Sequence, residues 1–409
     1  MKLPKVFLFC AILAILLGVR FLFFYQSREV YKDKQEINFH STIFSGAKII
    51  SNQQRLTANL PNGEDVYITA DFTSSFNFGD NLQISGTLNR QLLKDGRSIW
   101  TMFYPKIEVG SNIFPYLSEI HQKIVTSFKR SLPSTSANLL LGIVFGIKEQ
   151  MEKNFFDQLK NVGVLHVIAA SGMNVVMVGG FLSSIFSFFL KRQLALILTI
   201  FGIFFYAVLS GFEPSIIRAS IMGGFVFLSQ ILGRQNTASY ALFLSAFLML
   251  FISPALISDT SFQLSFAATA GLLYLRPLVE FGKLKGVIEK SIIGEDIVTT
   301  ITAQAATLPI LLTNFGTYSP WSIITNALVL WTIPPLMILG GFGAVLGLVF
   351  EPLGRIFIYL SLPLLLYFEK IVSVFGKNGG MFEVKAFPWQ FVLGYYFLLL
   401  ATVLYRARK

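Results

Sequence analysis

The stretch 165–190 constrains the fold of this chain most strongly, because it is long and apolar and yet contains polar side chains. It reads LHVIAASGMNVVMVGGFLSSIFSFFL. A helix of about 20 residues crosses the hydrocarbon core of a bilayer, so this stretch is long enough to span a membrane. His166, Ser171 and Asn174 are costly to expose to lipid. We therefore predict a membrane helix whose polar groups face protein or water inside a bundle.

Small side chains also recur along this stretch at helical spacing. Ala169, Gly172, Val176, Gly179 and Ser183 fall on one side of an ideal helix. Such a stripe allows the backbone of a neighbouring helix to approach closely. Two interpretations stay open here: the stripe is a seam where helices pack, or it lines a path through the membrane.

The composition extends the membrane interpretation to most of the chain. Of the 409 residues, 54% are hydrophobic and 13% are charged, whereas soluble domains carry about 25% charged residues. We therefore predict a polytopic α-helical membrane protein of the cell membrane. Its apolar runs predict about ten transmembrane helices, at residues 6–25, 165–190, 193–210, 214–232, 237–253, 260–276, 297–313, 321–350, 352–375 and 389–405. Lysine and arginine collect at alternate ends of these runs, which predicts that both termini are cytoplasmic.

The sequence pattern divides the chain into four parts. Residues 1–25 form a membrane anchor, 26–113 a β domain, 114–164 a set of amphipathic and interfacial helices, and 165–409 the transmembrane channel domain. The β domain follows an anchor that begins in the cytoplasm, so it is predicted to be extracytoplasmic. Two apolar runs within 114–164 are too short to span a bilayer, and we interpret them as interfacial or half-inserted helices.

The β domain is predicted from short alternating runs separated by turn residues. Five such runs between residues 37 and 110 are typical of a small β-barrel of the oligonucleotide-binding (OB) type. Segment 26–113 carries nine basic and nine acidic side chains, so it has no excess charge for a nucleic-acid strand. Its aromatic residues either fill the barrel, which we favour, or offer stacking surfaces for bases. They are Phe39, Phe44, Tyr67, Phe72, Phe76, Phe78, Phe103 and Tyr104.

Polar residues and prolines at membrane depth indicate where the bundle has an interior. The polar residues should face protein or water, and they are Glu213, Arg218, Asp259, Gln263 and Gln304. Arg218 and Asp259 could form an ion pair between packed helices, or Arg218 could face a substrate. Helix breaks are expected at the prolines of this region, which are Pro309, Pro320, Pro334, Pro335 and Pro363. A straight helix over 321–350 would be about 45 Å long in a core of about 30 Å, so it should bend near Pro334.

Catalytic and cofactor chemistry find little support in the sequence. Cys10 is the only cysteine and the three histidines are scattered, so we predict no disulfide, no metal site and no cofactor. A phosphate-binding loop of the G-x-x-x-x-G-K-[ST] type is absent from these 409 residues. An intramembrane hydrolase with Ser171 as nucleophile and His166 as base is a rival interpretation. On one helix these side chains would point about 140° apart, which is poor geometry for such a pair.

Four ordered motifs together resemble one known family. Residues 166–175, HVIAASGMNV, resemble the H-L-x-A-I-S-G-x-H-V signature in the competence domain of ComEC-type DNA-internalisation channels, with Asn174 in place of the second histidine. Residues 214–222 resemble P-x-x-R-A-x-x-M, and 254–268 resemble P-x-x-L-x-D-x-S-F-Q-L-S-F-x-A. The late Q-x-x-T-x-P…F-G…S…N pattern is matched by Gln304, Thr307, Leu308, Pro309, Phe315, Gly316, Ser319 and Asn326.

The resemblance implies a channel that conducts single-stranded DNA across the cytoplasmic membrane during natural transformation. It also implies that the β domain is the family's OB fold. Many relatives carry a nuclease domain of the metallo-β-lactamase type, whose metal motif these 409 residues lack, so we expect this to be the short form and not an enzyme. A separate motor, DNA receptor and nuclease are then expected partners, and the oligomeric state stays open.

We expect ten residues to line the DNA path. Arg218 would contact phosphate, because a polyanion needs basic groups and few deep carboxylates along its route. The full set is His166, Ser171, Gly172, Asn174, Gly179, Arg218, Asp259, Gln263, Gln304 and Asn326. The same Arg218 would suit a transporter of another polyanionic or lipid-linked substrate, which is the alternative to a DNA channel.

Overall fold

The computed structural model describes residues 3–43, 48–50, 53–71, 76–92, 98–147, 151–168, 171–234, 237–280, 292–377, 382–383 and 389–407. It consists of a bundle of mostly apolar helices and one small β domain near the N-terminus. The first helices are α1 Leu3–Ser27, α2 Pro115–Ser131, α3 Ser134–Phe145, α4 Lys153–Asn161, α5 Leu165–Ile168, α6 Gly172–Phe189, α7 Arg192–Leu209 and α8 Pro214–Ile231. The later helices are α9 Ala238–Ile252, α10 Thr260–Tyr274, α11 Arg276–Glu280, α12 Ile292–Phe315, α13 Ser322–Val329, α14 Ile333–Val349, α15 Glu351–Leu360, α16 Leu362–Gly376 and α17 Trp389–Ala407.

The helices confirm a polytopic membrane protein. Among the described residues, six segments are long and apolar enough to cross a membrane, the first of which runs across the undescribed Ala169 and Ala170: Leu165–Phe189, Arg192–Leu209, Pro214–Ile231, Ile297–Phe315, Ser322–Val349 and Glu351–Gly376. Shorter apolar helices lie at Ala11–Ser27, Ser134–Phe145, Ala238–Ile252 and Gln390–Tyr405. The crossing predicted at 260–276 is the 15-residue helix α10. About 20 residues are needed to span a bilayer, so α10 is shorter than a full crossing.

Proline positions mark the helix breaks, with one exception. A 3-10 turn at Leu330–Thr332 separates α13 from α14 just before Pro334, which confirms the predicted bend in 321–350. The crossing predicted at 352–375 is also interrupted, because Ser361 lies between α15 and α16 and Pro363 is in the first turn of α16. Pro309 does not break its helix, since α12 continues through it to Phe315.

The described residues of the β domain form seven strands, where the sequence predicted five. They are β1 Gln35–Thr42, β2 Lys48–Ile50, β3 Gln53–Asn59, β4 Asp65–Asp71, β5 Asp80–Leu92, β6 Ser98–Phe103 and β7 Lys106–Asn112. Two of the predicted runs each form two strands, β2 with β3 and β6 with β7. Between β6 and β7 the chain turns at Tyr104, whose φ is 51°, and at Pro105, and neither conformation suits a continuous strand.

The seven strands form one curved sheet in the order β1-β5-β6-β4-β3-β2, with β7 also paired to β5. All pairs are antiparallel except β4 with β6. A further two-residue pair, β8 Thr317–Tyr318 with β9 Phe382–Glu383, lies beside the helices. Residues from alternate positions of the long strands form the core of the β domain, including Phe39, Leu56, Val66, Ile68, Leu82, Ile84, Leu88 and Met102.

The aromatic residues of the β domain are divided between its interior and its surface. Phe39 and Phe78 are buried and Phe76 packs against the core, as expected for a filled barrel. Tyr67, Phe103 and Tyr104 are about half exposed. The other two predicted aromatics, Phe44 and Phe72, lie outside the described residues.

Helix α3 lies in the centre of the bundle, although the sequence predicted an interfacial or half-inserted helix. Every residue of α3 from Ser136 to Phe145 is buried. The helix packs against α14, where Gly340 leaves room for Val144. Twelve residues are too few to span a bilayer, but a short apolar helix can also be enclosed by longer neighbours. That arrangement depends on tertiary packing, which the local sequence does not specify.

The β domain is joined to the bundle at two places. Its turn at Gly63 touches the 3-10 turn Pro254–Ser258, because a Cβ added to Gly63 would lie 2.7 Å from the Cβ of Ala255. On the other side, Phe78 of the β domain stacks on His121 of α2, with ring centroids 5.0 Å apart. The β domain therefore rests on both α2 and the loop between α9 and α10.

Candidate functional site

The signature stretch 165–190 is interrupted shortly after it begins. Helix α5 ends at Ile168, and α6 begins at Gly172 after Ser171, whose backbone is extended at φ −105° and ψ 168°. Ala169 and Ala170 lie outside the described residues. The extended backbone of Ser171 therefore interrupts the helix that the sequence predicted over 165–190, although Leu165–Phe189 as a whole is long and apolar enough to span a membrane. The break leaves the first backbone N–H groups of α6 without a side-chain cap.

Arg218 lies in α8 and is only 7% exposed. Its Nη1 donates a hydrogen bond to Oγ1 of Thr269, and its Cζ lies 5.7 Å from the ring centroid of Phe266; both partners belong to α10. Within the part of the chain that the structure describes, its Nε has no hydrogen-bond partner. Among the described residues Arg218 forms no ion pair, and the pairing with Asp259 left open by the sequence is not found. A buried guanidinium without a counter-charge is energetically unfavourable.

Gly172 brings the start of α6 against this guanidinium. A Cβ added to Gly172 would lie 2.8 Å from Nη2 of Arg218, so a larger side chain would displace the arginine. The N-terminal end of an 18-residue helix carries partial positive charge, and among the described residues no side chain caps this one. Helix end and guanidinium together form a positively charged position between α6, α8 and α10. Its chemistry suits an anion such as a phosphate.

Asn174 connects α6 with α3. Its Nδ2 donates to the carbonyl of Ile143 at 2.7 Å, and its Oδ1 accepts from Oγ of Ser171 at 3.2 Å. The hydroxyl of Tyr206 in α7 donates to the neighbouring carbonyl of Val144 at 2.7 Å. These carbonyls belong to the last turn of α3, where helical partners are missing. Asn174 thus supports the site by fixing the first turn of α6.

His166 and Ser171 do not form the pair that a hydrolase would need. The hydroxyl of Ser171 is bonded to Asn174, and no hydrogen bond joins it to His166 in the described structure. His166 is exposed on the four-residue helix α5 and lies against the backbone of Gly163. Because α5 and α6 are separate helices, the angle calculated for one continuous helix does not apply.

Gly179 lies in a seam where helices pack. A Cβ added to it would lie 2.9 Å from Ile203 of α7 and 3.2 Å from Phe227 of α8. Val176, which was predicted to share this stripe, is 71% exposed. Gly172 and Gly179 therefore both pack against α8, and Gly179 also against α7, whereas Val176 between them has no such cover.

Asp259 and Gln263 lie at the start of α10, beside the β domain. Oδ1 of Asp259 accepts from the backbone N–H of Phe262 at 2.6 Å and so caps the helix. Nε2 of Gln263 donates to the carbonyl of Ile257 at 2.8 Å. Ten residues separate Asp259 from Thr269, about 15 Å along a helix. Asp259 therefore lies well away from the Arg218 site.

Gln304 and Asn326 belong to the neighbouring helices α12 and α13. Nε2 of Gln304 donates to Oγ of Ser322 at 2.7 Å, and its Oε1 accepts from the hydroxyl of Tyr318 at 3.1 Å. Asn326 is buried, and its Oδ1 has no hydrogen-bond partner in the described part of the chain. These amides form a second polar region, and among the described residues no hydrogen bond joins them to Arg218.

Phe266 and Thr269 are the site residues that sequence reasoning missed. Phe266 was part of the motif quoted over residues 254–268, and Thr269 is the next residue after that motif. Their positions three residues apart put them on one face of α10, which could have indicated a common partner. As for metal binding, the described residues contain no group of three or more histidine, cysteine, aspartate or glutamate side chains that could hold an ion.

Comparison with known proteins assigns the bundle to a family. The family model described as Competence protein matches residues 143–409, more than half of the chain and all of the Arg218 site. The chain belongs to the competence protein family. Membership connects this competence protein with DNA uptake for transformation and with a membrane setting. The match begins within α3 and does not include the β domain.

Individual relatives of this competence protein are distant. It is 27% identical over 209 residues to "ComE operon protein 3" of Bacillus subtilis (strain 168). It is 26% identical over 216 residues to an uncharacterized protein of Aquifex aeolicus (strain VF5). Each alignment covers 51% of this chain, but 26% of the first relative and 48% of the second, so the chain spans at most about half their length. No solved structure matches the chain.

Proposed function

We propose that this competence protein forms the path by which one DNA strand crosses the cell membrane during DNA uptake. The observation that carries the proposal is the buried Arg218, which has no counter-charge among the described residues and lies at the start of α6. Each nucleotide of a DNA strand carries one negative phosphate, which would supply the missing charge. The family to which the chain belongs supports DNA as the substrate.

The surroundings of Arg218 suit contact with a moving polymer. Thr269 and Phe266 hold the guanidinium in position, so it does not need to be ordered when a phosphate arrives. A conducting site must also release its substrate, which requires binding that is not too strong. One guanidinium and one helix end meet that requirement better than a cluster of cations would.

The remaining features of the proposal concern orientation and partners. Both termini are cytoplasmic and the β domain is extracytoplasmic, where exposed Tyr67, Phe103 and Tyr104 could stack on bases of an arriving strand. We assign that domain the OB type. The polar side chains of His166, Gln263, Gln304 and Asn326 are proposed to line the rest of the path. A separate motor, receptor and nuclease complete the system.

Replacement of Arg218 by alanine tests the proposal. Cells producing Arg218→Ala should take labelled DNA into the cytoplasm about tenfold to a hundredfold more slowly, because a charge-assisted hydrogen bond contributes roughly 1.5–3 kcal/mol. Capture of DNA at the cell surface should be unchanged. Arg218→Lys keeps the charge but not the two-pronged geometry of the guanidinium. Its rate of DNA uptake should lie between that of the unaltered protein and that of Arg218→Ala.

Arg234→Ala is the matched control, because Arg234 is an exposed arginine just beyond the other end of the same helix. It should leave uptake unchanged at equal protein level in the membrane. Normal DNA entry in Arg218→Ala cells would refute the assignment of this residue.

A transporter of a smaller or lipid-linked anion would use the same guanidinium, so the substrate needs its own test. Purified protein in vesicles should admit a labelled single-stranded oligonucleotide, and an unlabelled oligonucleotide should compete with it. If inorganic phosphate or a lipid-linked phosphate competes at equal concentration and the oligonucleotide does not, the DNA path is the wrong function.

A further inference from the structure

A groove between α2 and α15 lies apart from the Arg218 site and is independent of the function proposed there. Its volume is about 420 Å³. The residues that line it are Arg130, Ser131, Arg355, Ile356, Tyr359 and Leu360. Both helices are amphipathic and pack against each other, and Ser127 of α2 also contacts the neighbouring Gly347.

The polar end of the groove carries an excess of positive charge. Arg355 Nη2 lies 2.6 Å from Oε1 of Glu351, and Arg130 Nη1 lies 3.4 Å from the same oxygen. One carboxylate therefore faces two guanidinium groups, and Lys129 precedes Arg130 in the chain. The side chains of Arg130, Glu351 and Arg355 are each about half exposed, so an anion from outside the protein can reach them.

The other end of the groove is apolar and open. Ile356, Tyr359 and Leu360 are each about 60% exposed. They follow Arg355 along α15 by one to five residues, which corresponds to about 2–8 Å along the helix axis. Their exposed side chains continue the groove away from the charged end.

The position of the groove relative to a membrane follows from the helices. Ser322–Val349 is long and apolar enough to cross a bilayer, and α15 begins two residues after it ends. The turn at Phe350 is therefore near one membrane surface. With the turn at a membrane surface, Glu351, Arg355 and Arg130 would lie at headgroup level, and the apolar residues of α15 would extend from there toward the acyl chains.

We propose that this groove binds an anionic phospholipid. The phosphate of the headgroup would contact Arg130 and Arg355, in competition with Glu351, and an acyl chain would lie along Ile356 and Leu360. Charge complementarity and the order of charged and apolar residues along α15 both fit such a molecule. A free phosphate would use only the charged end, and a zwitterionic lipid would gain less from the two arginines.

Lipid retention by the full-length protein in detergent tests the proposal. Native mass spectrometry would compare phosphatidylglycerol, phosphatidylcholine and inorganic phosphate as probes. Phosphatidylglycerol should bind the unaltered protein, and the double variant R130Q/R355Q should bind it about twentyfold more weakly, since each basic side chain near an anionic headgroup contributes about one kcal/mol. Arg192→Gln removes a basic residue at the start of α7, away from the groove, and should bind as before.

The variant Glu351→Gln tests the proposal in the opposite direction, because it should bind the lipid more strongly and not more weakly. Removing the carboxylate frees both arginines, so retention of phosphatidylglycerol should increase. Weaker retention in Glu351→Gln would overturn the proposal. So would equal binding of phosphatidylcholine, equal binding by R130Q/R355Q, or displacement of the lipid by inorganic phosphate. If a single-stranded oligonucleotide displaces phosphatidylglycerol, the groove belongs to a DNA path and the lipid assignment is wrong.

Discussion

At the scale of single residues, the pair formed by Gly172 and Arg218 is central to this protein. The guanidinium occupies the space that a side chain at position 172 would fill. Gly172 is thus required by its neighbour, whereas its backbone shows no positive φ that would demand glycine. Gly172 of the first motif and Arg218 of the P-x-x-R-A motif belong to different helices, and their contact explains why both would occur in one chain.

This contact predicts that Gly172→Ala impairs DNA entry through Arg218. The added methyl group would displace the guanidinium from the start of α6, and we expect cytoplasmic uptake of labelled DNA to fall about tenfold. The control is Gly179→Ala in the same helix, whose methyl group meets Ile203 and Phe227. Both substitutions crowd a packed site and cost about 1–3 kcal/mol of stability. The midpoint temperature of thermal unfolding in detergent should therefore fall by a similar amount in the two variants.

Only Gly172→Ala should lower uptake per folded molecule. If both variants take up DNA equally well, or equally poorly, the arrangement of Gly172 and Arg218 has no special part in transport. This comparison separates a loss of function from a loss of protein, because the two substitutions are chemically identical.

At the scale of helices and strands, the sequence predicted what local chemistry determines. The interruption before Pro334 was predicted, because it follows from the missing N–H and fixed φ of proline. The break at Pro105 has the same cause but was missed, since the run across it was predicted as one strand and the structure has two, β6 and β7, which both pair with β5. Burial of α3 could not be predicted, because Asn174 and Tyr206, which complete its last turn, lie 31 and 62 residues further along the chain. The partners of Arg218 could not be predicted either, because Thr269 lies 51 residues further along the chain.

The hairpin formed by α14 and α15 yields a prediction at this scale. A Cβ added to Gly354 would overlap the backbone of Gly347 and lie 2.7 Å from the carbonyl oxygen of Gly343. Backbone atoms cannot rotate away, so Gly354→Ala should lower the stability by about 1–3 kcal/mol or more. Thermal unfolding of the purified protein in detergent would measure this loss.

Gly341 in α14 is the matched control, because a Cβ added there meets nothing within 4 Å. Gly341→Ala should be neutral or slightly stabilising, since alanine favours a helix over glycine by about 1 kcal/mol. Equal unfolding temperatures for the two variants would contradict close packing of this hairpin.

At the scale of the whole molecule, the β domain and the bundle meet through ionisable groups. Glu64 holds the β domain to the end of α1 by accepting hydrogen bonds from Arg28 at 2.6 Å and from Trp100 at 2.7 Å. Burial, together with the nearby Asp259, raises the pKa of Asp65 above its usual range. Burial lowers the pKa of His121 to about 4 where it stacks on the β domain. The attachment should therefore respond to pH.

Protonation of His121 should lower the stability of the folded protein as the pH falls. In the folded protein the imidazole stays neutral down to about pH 4, whereas in the unfolded chain it binds a proton near pH 6.5. Between these values the unfolded state binds more protons, so stability is present above pH 6.5 and falls as the pH falls toward 4. From pH 7 to pH 5 the loss should be about 2 kcal/mol. The midpoint of thermal unfolding in detergent would fall accordingly.

The variant His121→Phe isolates the contribution of His121 to the pH dependence of stability, because phenylalanine keeps the stacking on Phe78 but binds no proton. Carboxylates such as Asp65 titrate equally in both proteins, and their contribution cancels when the two are compared. The variant should thus lose less stability than the unaltered protein between pH 7 and pH 5, by about 2 kcal/mol. Parallel pH curves for the two proteins would mean that His121 is solvated, and that the β domain is not held against α2 by a buried ring.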